Sequence, residues 1–150
     1  YDVDDLKKII KFFKPDIVQL PINILNQSFL RKNYLQKLKN IGIEIHARSI
    51  FLQGLLIGDN YKKFKFKKEL KKKIDKIDFF CKKKSISRIQ FLVNFIDQIY
   101  EVDKIVIGVD NTDQLKKIIY TLNILIPIKS FTTLAEKDKR IIDPRLWQKN

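Results

Sequence analysis

The sequence predicts an α/β fold in which three parallel strands alternate with helices. Three observations predict it. Short apolar runs rich in Ile and Val stand at residues 16–20, 43–47 and 104–108, and β-branched side chains suit a pleated strand. Apolar residues at helical spacing fill much of the intervals between them. Each run also ends abruptly in proline, glycine or polar groups, and parallel sheets carry their ligands beyond such strand ends.

The chain opens with a helix. Asp4 or Asp5 caps it, Leu6, Ile9, Ile10 and Phe13 form one buried face, and Pro15 ends it, because the residue before proline avoids the α region. Asp16-Ile-Val-Gln-Leu20 is the first strand. Pro21 closes it by removing a ladder donor. Gln19 is polar within this strand. It reads either as a side chain facing the mouth of a barrel or as a cap on loop backbone. Residues 23–27 form a loop, and Ser28 caps a second helix through its side-chain oxygen. Phe29, Leu30, Leu35 and Leu38 give that helix an apolar side.

Gly42 then stops the helix, since a residue without Cβ takes the left-handed turn cheaply. The strand at 43–47 follows, and strand, helix and strand make a right-handed βαβ unit. Its apolar run gives way to Arg48 and Ser49, then to Phe51, Leu52, Gln53 and Gly54. This abrupt polar ending marks residues 41–54 as a candidate ligand mouth. His46, inside the strand, reads as a satisfied core histidine.

Between Gly54 and Asp103 the chain makes a longer excursion. Gly58-Asp-Asn60 is a turn. Phe66, Leu70, Ile74 and Ile77 line one helix; Ile89, Leu92, Val93 and Ile96 line another that starts after Ser85 or Ser87. The strand at 104–108 is short and continuously apolar, as when both faces are covered. Gly108, Val109, Asp110, Asn111 and Thr112 form its mouth. Asn111 or Thr112 caps a helix with Leu115, Ile118, Ile119 and Leu122 on one side. The mouth reads either as an anion site at a helix N-terminus or as a plain capped turn. Residues 127–150 lack periodicity and hold the one tryptophan, Trp147; this tail folds over the open end of the sheet or packs outside.

Composition narrows the function. The chain has 150 residues, one domain's worth, and its 45% hydrophobic content is ample for a core. No apolar run is long enough to span a bilayer, and no secretory signal opens the chain. Cys81 is the single cysteine, which fits a reducing, cytoplasmic compartment. The lysines around it could lower its pKa, but it reads as a bystander thiol. The net charge of +14 invites a nucleic-acid reading. Most of that charge is Lys, whereas Arg serves better for bidentate phosphate and base contacts. Residues 62–84 interleave lysines with Phe64 and Phe66; this run is either a solvated amphipathic helix or a lysine-rich surface that stacks bases. No specific nucleic-acid partner and no membrane are expected. The chain has no methionine and opens on Tyr1, so it reads as either a processed chain or, preferably, a fragment of a longer protein.

Three segments carry a family resemblance: Asp16-Ile-Val-Gln-Leu-Pro-Ile-Asn23, Gly42-Ile-Glu-Ile-His-Ala-Arg-Ser49 with Phe51-Leu-Gln-Gly-Leu-Leu56, and Val106-Ile-Gly-Val-Asp110 with Asp113-Gln-Leu115. The chain resembles the aldo/keto reductases. Order and spacing match the sixth, seventh and eighth βα units of that (β/α)8 TIM barrel, so residues 1–150 read as its C-terminal half. The resemblance implies an NADP- or NAD-dependent oxidoreductase that interconverts small-molecule carbonyls and alcohols. It puts Gln19 on the nicotinamide carboxamide. Arg48 stands where the family usually stacks an aromatic residue on the nicotinamide ring, and a guanidinium can stack too. Ser49, Phe51, Gln53 and Gly54 match the loop that wraps the pyrophosphate. Where the family usually offers Lys or Thr, Ser and Arg to the adenosine phosphate, this chain offers Gly108, Val109, Asp110 and Gln114. The family's Asp, Tyr, Lys and His tetrad belongs to earlier strands, and no catalytic residue is identified here. The missing N-terminal half, or a second copy, is expected to complete the sheet.

Overall fold

Three parallel strands form one sheet in chain order: β1 (Ile17–Pro21), β2 (Glu44–Arg48) and β3 (Lys104–Ile105). The computed structural model describes residues 3–122, 126–127 and 132–147. The register pairs Val18 with Ile45 and Leu20 with Ala47 on one face. All four are buried. The other face carries Ile17, Gln19, Glu44 and His46, and the His46–Lys104 pairing adds Lys104 to it. Ile17, Gln19 and Lys104 are exposed. One side of the sheet is therefore a core and the other an open, mostly polar surface.

The first two strands follow the sequence closely, whereas β3 is shorter than its apolar run. Asp103 donates its N–H to the Ile45 carbonyl and Val106 donates to that of Ala47, each at 2.8 Å. Two steps along β2 thus meet three along β3, and the extra residue disrupts the ladder. Beyond that point Ser49 turns left-handed, with φ of 58°. The β2 backbone swings away, and no described strand pairs with Ile107 and Gly108.

Asp103 ties this side of the sheet together. Its carboxylate accepts the Ile45 N–H at 2.7 Å and the Lys39 ammonium at 2.6 Å. The hydrogen bond from the Ile45 backbone, reinforced by Lys39, holds the Asp103 carboxyl below its usual range. A carboxylate whose pKa falls on folding stabilises the native state above its unfolded pKa, near 4, and that contribution disappears as pH falls through the folded value. Asp103→Asn removes it. Urea unfolding between about pH 6 and about pH 3 is expected to show a shallower acid loss in the variant than in the parent chain.

The helices show where periodicity succeeds and where it misleads. α1 (Val3–Phe12) holds Asp4 and Asp5 inside its first turn, not ahead of it. Of its expected buried face only Leu6 is buried; Ile9 is 52% and Phe13 65% exposed. Ser28 does not cap an α-helix. Residues Ser28–Asn33 form 3-10 turns broken at Arg31 and Lys32, and α2 (Tyr34–Asn40) starts after them. The Ser28 hydroxyl is instead donated to Asn26 Oδ1 at 2.8 Å. The C-terminus of α2 behaves as expected: Gly42, at φ of 78°, donates to the Lys39 carbonyl while Ile43 donates to that of Leu38. This paired closure satisfies the last carbonyls of the helix.

α3 (Lys67–Lys84) and α4 (Arg88–Asp97) bury most of the expected faces: Leu70, Ile74 and Ile77 on one, Leu92, Val93 and Ile96 on the other, while Phe66, just ahead of α3, and Ile89 are only partly buried. Ser87 and Gln90 form a reciprocal capping box at the start of α4, which satisfies two orphan donors at once. α5 (Thr112–Leu122) packs on α4, yet of its four expected core residues only Ile118 is buried. The described part of the tail includes α6 (Lys139–Ile142). Glu136 donates its N–H to the Leu25 carbonyl at 2.8 Å, so the tail reaches the loop after β1. Its Trp147 packs edge-on against Phe64, with centroids 5.0 Å apart. The remaining residues of the tail, 128–131 and 148–150, lie outside the described set.

Candidate functional site

The loop after β2 is built from backbone that most residues avoid. Ser49, Leu52, Gln53 and Gly54 all have positive φ, from 47° to 79°. For residues with a Cβ this conformation costs roughly 1–2 kcal/mol each. Burial offsets it: Ile50, Phe51, Leu52, Leu55 and Leu56 all pack into the core. Local hydrogen bonds fix the turns, from Leu52 N–H to the Ser49 carbonyl at 2.9 Å and from Leu55 N–H to that of Leu52 at 3.0 Å. The apolar side chains point inward, so Gln53 and the bare backbone of Gly54 are left facing outward. A Cβ built on Gly54 would meet nothing within 4 Å.

The loop between β3 and α5 supplies the opposite wall. Asn111 caps α5 by accepting the Gln114 N–H at 2.9 Å, and Gln114 Oε1 accepts the Asp110 N–H at 2.7 Å. Of the two expected caps, Asn111 serves. Gly108 again presents open backbone, with nothing within 4 Å of a built Cβ.

Between these loops lies a cleft of about 680 Å³, within the roughly 300–1,000 Å³ usual for small-molecule sites. Nine of the ten sequence-predicted positions line it: Arg48, Ser49, Phe51, Gln53 and Gly54 from one loop, and Gly108, Val109, Asp110 and Gln114 from the other. Gln19 does not. It sits on the open face of β1, opposite His46. Arg48 is the one cation among the lining residues and Asp110 the one anion. Arg48 donates to Ser49 Oγ at 3.3 Å. Ile50, Ile57 and Val106 also line the cleft; their apolar type gave no sign of it. Asn23 was likewise missed as more than a loop residue. An asparagine just past a strand-closing proline is a signal for a side-chain-closed turn, but not for what that side chain reaches.

Bare backbone at two glycines, left-handed loop residues and one arginine suit a phosphate-bearing ligand, because a chain without Cβ lets such a group approach its amides. The residues present therefore fit a dinucleotide. Other candidate residues lie in surroundings of a different kind. His46 is satisfied, with Nε2 2.7 Å from Glu44 Oε1, though on the open sheet face and not in the apolar core. That contact, with a further one from Lys104, holds the Glu44 carboxyl below its usual range. Burial pushes the Cys81 thiol up to about 11, so its lysine neighbours do not activate it. Phe64 and Phe66 stack on each other at 5.2 Å and both pack against Trp147, which engages the rings that a base-stacking surface would need. Among the described residues, no group of His, Cys, Asp or Glu could hold a metal, and no helix is long and apolar enough to cross a membrane.

A parallel sheet with helices between its strands, and a polar cleft beyond the strands' carboxyl ends, defines an α/β protein. Comparison with known families places it further. The model described as aldo/keto reductase family matches residues 1–139, and the chain belongs to that family. The family's fold is the TIM barrel, and its activity is NAD(P)H-dependent oxidoreduction. A comparison with curated proteins found no match.

Proposed function

We propose that residues 1–150 form the C-terminal half of an aldo/keto reductase barrel, its sixth to eighth βα units, and supply part of an NADP(H) or NAD(H) site. One observation carries this reading: nine residues chosen from sequence, on two loops some 50 residues apart in the chain, line a single cleft. When bound, the nicotinamide supplies or accepts the hydride that interconverts a small-molecule carbonyl and its alcohol. This chain's own residues bind and orient. Arg48 supports the nicotinamide end, and Gln19 holds its carboxamide from the adjacent sheet face. Ser49, Phe51, Gln53 and Gly54 hold the pyrophosphate with the backbone of the loop after β2. Gly108, Val109, Asp110 and Gln114 hold the adenosine end. No catalytic residue is assigned to this chain, and the protein works in the cytoplasm.

The test is binding without turnover. NADPH fluorescence is expected to change on titration with the chain, while NADPH oxidation with a small aldehyde stays at the blank rate. Gly108→Val fills the open backbone and is expected to weaken NADPH binding about tenfold, an ordinary effect for a steric change worth ~1.4 kcal/mol. If neither NADPH nor NADH binds, or if Gly108→Val leaves the affinity unchanged, the reading is wrong.

A further inference from the structure

We infer that Asn23, on the loop after β1, positions the left-handed loop after β2 and thereby sets the shape of the cleft. Only the consequence for a dinucleotide rests on the function proposed above; the geometry stands by itself. Asn23 is 1% exposed, and both polar atoms of its side chain are engaged. Oδ1 accepts the N–H groups of Leu25 at 3.0 Å and Asn26 at 2.8 Å. Nδ2 donates to the Ser49 carbonyl at 3.2 Å, across 26 residues of sequence.

The place of that last bond gives it its role. The Ile22 N–H to Arg48 carbonyl bond, at 3.2 Å, is a final backbone rung between the ends of β1 and β2. Asn23 then turns its own N–H to the Asn26 carbonyl, so its backbone cannot continue the ladder. The side-chain amide takes over and reaches Ser49, the residue where β2 gives way to a left-handed turn. The Ser49 carbonyl thus accepts two hydrogen bonds, from Asn23 and from Leu52. Asn suits the position because it both accepts and donates from a short side chain. Aspartate would close the same turn but offer Ser49 no donor. Asn23 does not line the cleft; it acts through Ser49, as a positioning residue.

Asn23→Asp separates the two duties, because its carboxylate still accepts from Leu25 and Asn26. Hydrogen exchange on the full chain reads the loop directly: the Leu52 amide shares the Ser49 carbonyl, and the Leu55 amide bonds to Leu52. In the variant both are expected to exchange about tenfold faster, as the loss of one buried hydrogen bond implies, and NADPH is expected to bind about tenfold more weakly. Leu38→Ala, in the core of α2, lowers global stability without touching the loop, and is expected to leave the ratio of Leu52 to Ile45 exchange unchanged. In the unmodified chain the Asn23 side-chain amide is expected to be protected, a measurement that needs no variant to fold. Unchanged Leu52 and Leu55 exchange in Asn23→Asp, an equal rise of Leu52 relative to Ile45 in Leu38→Ala, or an unprotected Asn23 amide would each overturn the inference. A loosened loop with unchanged NADPH affinity would support it and count against the dinucleotide site instead.

Discussion

Phe91→Ala is expected to cost about 3–5 kcal/mol of stability, the range for deleting a buried phenyl ring and leaving its cavity behind. Phe91 is fully buried and its ring lies 5.2 Å from that of Phe80, so α3 and α4 meet around it. Its helix starts in the Ser87–Gln90 capping box and carries Leu92, Val93 and Ile96 into the same core. That wall cannot collapse easily, because the cap fixes the first turn. With total stabilities near 5–15 kcal/mol, the loss removes a large share of what holds a domain this size. Phe79, one residue before Phe80, supplies the control. It is 74% exposed, and Phe79→Ala is expected to change stability by no more than about 0.5 kcal/mol. Urea midpoints of the two variants check both values; equal midpoints would mean that α4 is not packed on α3 as described.

The second large effect is association. The ladder from Glu44 N–H to the Asp16 carbonyl, and from Ile22 N–H to that of Arg48, uses the even-numbered positions of β1. The amides of Ile17 and Gln19 therefore point to the outer edge, where no described strand pairs with them. The open face beside that edge carries Ile17, 49% exposed, and across the sheet Val106 is exposed as well. An unprotected edge next to apolar surface is a template for another chain. The purified chain is expected to associate reversibly at micromolar concentration. Ile17→Lys with Val106→Lys is expected to shift sedimentation toward monomer by placing charges at both edges. The Ile17 and Gln19 amides are expected to be protected in the associated form and to exchange freely in the dilute one. Strong protection of both in a proven monomer would show that the sheet is complete as it stands and is no part of a barrel.

The sequence made the sheet legible because its cues are local. β-Branched runs, Pro21 and the left-handed Gly42 mark β1 and β2 to within a residue. The length of β3 was not legible, because the extra residue against β2 and the turn at Ser49 are properties of the pair. Periodicity at α1 and α5 identified an apolar face but not what covers it, so Ile9, Phe13, Ile119 and Leu122 lie exposed where burial was expected. The cleft was legible through the family resemblance of residues 48–54 and 106–115, motifs whose glycines and polar groups stand at fixed offsets. Gln19 fell outside the cleft because strand alternation puts it on the open sheet face, beneath the loops. Asn23 looked like any loop asparagine, since its reach to Ser49 exists only once β1 and β2 lie side by side.

The most direct measurement is the amide exchange footprint of NADPH on the full chain in its associated form. Protection is expected to appear together at residues 49–54 and 108–114, at one saturating concentration, with the lysine-rich surface of α3 unchanged. Protection confined to α3, or no protection in either loop, would show that the two loops line a cleft without forming a dinucleotide site.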